Sequence, residues 1–156
     1  MKTTTVTFVF GEILPKSSTI VLEIHFIGSV NNQMAGFYRS NYKDTKGKDK
    51  VVASTQFEAL DARRAFPCVD EPSAKATFVV TMIVPASMEC FSNMPEASKK
   101  FFSEEDDLVE ISFLPTPKMS TYLLAFCVGE FDFVQAQTEN GVLVRVCAPR
   151  CRSASC

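Results

Sequence analysis

The sequence contains no tryptophan and one histidine, His25, in 156 residues. A single imidazole rules out any histidine-rich metal site, and a Cys–His pair or a serine triad would have to use His25. No C-x-x-C pair occurs, and no glycine-rich loop leads from a strand into a helix. Those absences remove the common zinc, dithiol, dinucleotide and P-loop patterns. Charge of one sign is also lacking. Sixteen Lys and Arg against 18 Asp and Glu leave a net charge of −2 with no basic stripe, so nucleic acid is not an expected partner. No apolar run approaches the ~20 residues that cross a bilayer, so no membrane partner is expected. The opening MKTTTVTFVF alternates like a strand and lacks the apolar core and cleavage site of a secretory leader.

The six cysteines do not make a framework. Cys68, Cys90, Cys127 and Cys147 lie in or beside apolar strand-like runs, where a free thiol behaves as a small hydrophobe. Only Cys147 and Cys151 are close in sequence, and a zinc site from Cys147, Cys151, Cys156 and His25 has poor spacing. No N-x-S/T acceptor is present. Together these features point to a reducing, cytoplasmic compartment and to no cofactor held by this chain.

The chain does carry abundant alternation of period two. Thr3–Phe10 and Thr19–Ile27 read as an antiparallel pair, the second with Ile20, Leu22, Ile24 and Phe26 on one face and Val21, Glu23, His25 and Ile27 on the other. Met34–Tyr42 and Val51–Phe57 flank the charged tip Lys43–Lys50 and are expected to pair across it. Ala76, Phe78, Val80, Met82 and Val84 line one face of a strand that ends at Pro85. Met88–Met94 reads as a short strand, Pro95–Asp107 as a polar loop and Leu108–Leu114 as a strand. Tyr122–Val134 reads as one long strand with a bulge at Gly129. Asn140-Gly141 marks a hairpin returning through Val142–Ala148. The sum is an all-β class: a mostly antiparallel sandwich or saddle-like domain of about nine strands, with at most one helical turn, within Ala59–Phe66. Residues 1–149 form the domain in this reading, and 150–156, RCRSASC, an irregular tail.

One stretch concentrates special residues: Thr55–Phe78, TQFEALDARRAFPCVDEPSAKATF. Gln56 and Glu58 are two apart, so a strand would place both on one face. Asp61, Arg63, Arg64, Asp70 and Glu71 surround Phe66-Pro67-Cys68, a set suited to an ion-paired turn, while Pro67 and Pro72 restrict the backbone. Spacing alone favours an ordinary exposed role for Gln56 and Glu58, with Glu58 pairing to Arg63 or Arg64.

With Met34–Ser40 upstream and Tyr122–Phe126 through Gly129-Glu130-Phe131 downstream, this stretch resembles the N-terminal β-domain of zinc aminopeptidases of the aminopeptidase N and puromycin-sensitive type. The likeness covers roughly residues 6–149, with Val69 standing where the family commonly has an aromatic. It implies that Gln56 borders the pocket for the first substrate side chain and that Glu58 binds the peptide α-ammonium. It also implies that Asp61, Arg63, Arg64, Asp70 and Glu71 support them. The family's zinc-binding H-E-x-x-H and its G-A-M-E-N-like strand are absent here. Zinc therefore belongs to the intact parent, the chain looks truncated at both ends, and its partners are the missing catalytic domain and peptide N-termini. A domain face left uncovered implies self-association. The alternative reading is a stand-alone, non-catalytic β-domain that binds other molecules.

Overall fold

Alternation is cleanest where two sheets meet. In Leu108–Phe113, Val109, Ile111 and Phe113 are buried and the residues between them half-buried, as a strand packed on one face requires. A computed structural model of the protein describes residues 5–150. Its strands are β1 Gly36–Lys43, β2 Asp49–Gln56, β3 Thr81–Pro85, β4 Glu89–Ser92, β5 Glu96–Ser103, β6 Leu108–Phe113, β7 Phe126–Gly129, β8 Phe131–Gln137 and β9 Leu143–Pro149. Short 3-10 turns occupy Ala62–Arg64 and Thr121–Leu123. The sheets run β1-β2-β7-β4, β3-β6-β5 and β8-β9, and every strand pairing is antiparallel. The protein is all-β.

Two apolar clusters hold these sheets together. Val84, Cys90, Val109, Ile111 and Phe113 form the first, drawing on β3, β4 and β6. Phe57, Ala62 and Leu124 form the second, with Phe66, Phe78 and Phe126 packed against them. Val80 touches both, so the clusters are continuous through it.

The β1–β2 hairpin forms as its sequence predicts, with Lys43 opposite Asp49 and Gly47 taking a positive φ at the tip. The second hairpin turns at Asn140-Gly141, where Gly141 has φ +77°. Four expectations fail. Among the described residues, neither Thr3–Phe10 nor Thr19–Ile27 belongs to a strand (Thr3 and Thr4 lie outside them), and their apolar side chains are exposed. Alternation makes a strand only where a sheet offers both an edge and a face, and here none is taken up. Residues 95–107 are not a loop, because Glu96–Ser103 pairs with β6 as an edge strand. Lys99 and Lys100 suit an edge, where pairing rather than burial defines the strand. The long strand from Tyr122 is a 3-10 turn followed by β7 and β8, which part at Glu130 as its carboxylate pairs with Lys50. In the strand starting at Ala76, only Thr81–Pro85 is paired; Ala76 forms a lone bridge to Met119, although Phe78, Val80, Met82 and Val84 still turn inward.

Packing identifies the residue on which the first cluster depends. Ile111→Ala, at a side chain only 1% exposed, is expected to cost about 3 kcal/mol in urea unfolding. Phe102→Ala on exposed β5 is expected to shift stability by no more than ~0.5 kcal/mol. Equal effects would remove the distinction between the buried and exposed faces of this sheet.

Candidate functional site

The site residues follow from how β2 ends. Phe57 is buried against Ala62, Leu124 and the rings of Phe66 and Phe126, each ring 6.0 Å away by centroid. Burying Phe57 turns its neighbours outward, and both Gln56 and Glu58 are exposed. They do not share a strand, however: β2 stops at Gln56, opposite Gly36. Glu58 lies in the turn that follows, where Asp61 N–H donates to the Phe57 carbonyl at 2.9 Å, and the Glu58–Ala59 peptide is cis. Exposure continues to alternate through these residues although strand pairing has ended.

Behind them the charged residues neutralise one another in pairs. The Arg63 Nε and backbone N–H both donate to Asp70 Oδ2, at 2.8 and 3.1 Å, and Arg63 Nη2 donates to the Asp70 carbonyl at 2.9 Å. Asp70 is buried, so its carboxylate is satisfied by donors of the turn itself. That bond, more than the charge alone, raises the Arg63 pKa further above its already high value. Arg64 Nε meets Asp61 Oδ1 at 2.7 Å, while Arg64 Nη1 donates to Gln33 Oε1 at 3.2 Å. Glu71 stands apart from this lock. It is exposed and contributes its backbone carbonyl to Ala74 N–H. Glu58 forms no ion pair among the described residues, so the expected pairing to Arg63 or Arg64 is replaced by Asp70 and Asp61.

Three further positions hold the turn and escape a reading of its charges. The Thr121 hydroxyl donates to the Val69 carbonyl at 2.9 Å, and the Ser120 hydroxyl donates to that of Pro72. Both side chains are buried, so a segment fifty residues downstream pins the turn's exit. Gly36 is the third. Its φ is +70°, and a β-carbon there would meet Arg64 Cβ at 2.7 Å. Its position before an aromatic strand is the only local signal; nothing in the sequence points from it to Arg64.

Cysteine chemistry has no support in this region. Burial raises the Cys68 and Cys127 thiols, and pushes Cys90 up to about 11, which keeps them protonated at neutral pH. His25 is exposed and pairs with Glu23, its Nε2 2.9 Å from Glu23 Oε1. Cys151 and Cys156, which with Cys147 and His25 make up the poorly spaced zinc set, lie outside the described residues. Arg150, the first residue of the predicted tail, donates its N–H to the Glu130 carbonyl just before β8 and its side chain to Asp132 on β8. No helix among the described residues is long and apolar enough to cross a membrane.

The fold is an antiparallel all-β domain with a charged turn locked from within, and Gln56 and Glu58 stand exposed outside that lock. Residues 1–123 match the Peptidase M1 N-terminal domain, and the chain belongs to that family. It is 48% identical over 137 residues to Aminopeptidase M1 of Arabidopsis thaliana and 47% identical over 127 residues to puromycin-sensitive aminopeptidase of Caenorhabditis elegans. It is 46% identical over 136 residues to aminopeptidase N of Homo sapiens. These matches cover 81–88% of this chain but only 13–15% of the relatives' length.

Two outcomes test the site's construction. Gly36→Ala, which combines a positive φ with a clash against a side-chain stem, is expected to destabilise by about 2–3 kcal/mol. Gly47→Ala, at φ +77° with open space around it, is expected to cost about 1 kcal/mol. Equal losses in chemical unfolding would mean that Arg64 does not pack on Gly36. Cys90 makes a separate prediction about pH. Its folded pKa is raised from 9.0 to about 11, so between those values the folded chain holds a proton that the unfolded chain releases. Stability is fully present below pH about 9 and falls as pH rises through about 11; Cys90→Ala should flatten that fall in thermal unfolding scans.

Proposed function

We propose that this chain is the substrate-bordering part of a zinc-dependent metallo-aminopeptidase, in which Gln56 and Glu58 meet the N-terminus of a peptide. The observation that carries this reading is the state of Glu58. It is exposed and without an ion pair among the described residues, while Asp61, Arg63, Arg64 and Asp70 behind it neutralise one another. A carboxylate held in this way can form a charge-assisted hydrogen bond to an ammonium group. Such a group marks the first residue of a peptide, which is the selectivity an exopeptidase needs. Gln56, on the same exposed side of Phe57, borders the first side chain. The names of the similar aminopeptidases support the reaction class.

The zinc of this reading is held by another part of the parent. Among the described residues no three histidine, cysteine, aspartate or glutamate side chains come together to hold a metal ion. The chain's own contribution is to bind and orient, with the catalytic domain and peptide N-termini as its partners. Among the described residues Cys68, Cys90, Cys127 and Cys147 are free thiols, which accords with a cytoplasmic setting.

The test has two parts. The purified chain, given zinc and a chelator control, should not hydrolyse fluorogenic aminoacyl substrates. In the longer parent enzyme, Glu58→Ala should lower kcat/KM by roughly 10–100-fold, the worth of one charge-assisted hydrogen bond. Chelator-sensitive turnover by the chain alone would overturn the division of labour, and an unchanged kcat/KM would overturn the role of Glu58.

A further inference from the structure

Glu58 is aimed by Phe57, and Phe57 leans on the stretch that leads into β7. Leu124 and Phe126 pack against it, the two phenylalanine rings 6.0 Å apart by centroid. Side chains from two neighbouring strands hold the backbone of that stretch. The Asn93 amide donates to the Leu123 carbonyl and accepts from the Ala125 N–H, both at 2.8 Å, so it grips the chain on either side of Leu124. The Ser92 hydroxyl donates to the Ala125 carbonyl at 2.9 Å. From the β2 side, Thr55 Oγ1 accepts the Phe126 N–H at 3.1 Å.

Thr55 has a particular place in β2. Backbone pairing with β7 ends at Ser54, opposite Cys127, whereas pairing with β1 continues to Gln56. Thr55 is therefore the first residue of β2 beyond the β7 ladder, and its hydroxyl takes the N–H that a longer ladder would give to a backbone carbonyl. Side chains two apart share a face of a strand, so Thr55 and Phe57 point one way and Gln56 the other. Phe126 thus holds the end of β2 at two points, by its N–H on Thr55 and by its ring on Phe57. One attachment would leave the segment free to rotate about its own axis. Two fix that rotation, and with it the bearing of Gln56 between them and of Glu58 just beyond.

We propose that Thr55 and Asn93 are positioning residues for binding of a peptide N-terminus, acting through Phe126 and Leu124 on Phe57 and so on the Glu58 carboxylate. The inference rests on the reading of Glu58 as the group that meets the α-ammonium, and it gives neither Thr55 nor Asn93 a contact with the peptide. A carboxylate displaced by about 1 Å keeps its charge but loses the alignment on which a charge-assisted hydrogen bond depends.

A double-mutant cycle in the longer parent enzyme separates positioning from general support of the fold. Thr55→Val, similar in shape but without the hydroxyl, is expected to lower kcat/KM by about 10-fold. Thr55→Ser, which keeps the hydroxyl, should stay within ~2-fold of wild type. In a Glu58→Ala background the Thr55→Val change should cost less than ~2-fold, since the group it positions is gone. Asn93 is exposed, so Asn93→Ala keeps the fold and should show the same dependence on Glu58. No loss, or equal losses in both backgrounds, would overturn the inference while leaving the role of Glu58 standing. A parent indifferent to Glu58→Ala would overturn that role and the inference with it. Hydrogen exchange in the 156-residue chain checks the contact itself. The Phe126 amide should be protected in the wild type and in Thr55→Ser, and should exchange at least ~10-fold faster in Thr55→Val. A Phe126 amide that exchanges freely in the wild type, or that ignores Thr55→Val, would overturn the proposal.

Discussion

The burial of Phe57 is the constraint on which the rest of the site depends. It sits where strand pairing has just ended, and its ring is held by Phe66 from the turn and Phe126 from β7. Fully burying an aromatic side chain is worth about 1.5–3 kcal/mol, more than any single exposed ion pair nearby. Since backbone direction alternates side chains in an extended segment, one buried ring orients two polar neighbours outward without their making a contact of their own. The outward aim of Gln56 and Glu58 is thus a by-product of core packing. An orientation obtained in this way leaves the glutamate's carboxylate free to bind something else.

The polar contacts around the turn serve a different purpose, and their environments separate them. Lys43–Asp49 and Arg150–Asp132 are exposed pairs, where water competes for both partners. Pairs of that kind add little. Asp70 is buried and accepts from both the side chain and the backbone of Arg63, so losing it would strand donors inside the turn. Arg64 combines an ion pair to Asp61 with a stem packed over Gly36, which ties the turn to β1. Ser120 and Thr121 add hydroxyl clamps to the turn's far side. Three independent attachments hold one loop, and the two arginines are consumed in holding it.

The sequence made the charged turn legible because its information is local. Oppositely charged residues within a few positions of one another, beside two prolines, can be read as a lock, and Asp61, Arg63, Arg64 and Asp70 form one. Glu71 has the same signature but faces solvent, because proximity in sequence does not say which carboxylate faces the guanidinium. The central hairpin and β6 were legible from turn chemistry and clean alternation. Two kinds of information were missing. Edge strand β5 has no apolar alternation, since an edge is defined by its neighbour's hydrogen bonds. The clamps from Ser120 and Thr121, and the contact of Gly36 with Arg64, join residues far apart in sequence that carry no chemical label for one another.

The failure of residues 19–27 to enter a sheet has the opposite cause. Their alternation is among the clearest in the chain, and only a partner is lacking. Most of the apolar side chains left exposed lie in residues 6–34 and 133–146, whereas the buried core is drawn from residues 52–131. The central span satisfies itself through Phe57, Ile111 and their neighbours; the flanking spans carry strand-like faces without covering. Hydrophobic burial is non-directional, so such faces are stable only against another surface. The exposed chemistry of this domain therefore divides in two. The locked turn leaves the Glu58 carboxylate exposed, whereas the flanking spans and a cleft lined by Phe66, Phe78 and Val80 are apolar.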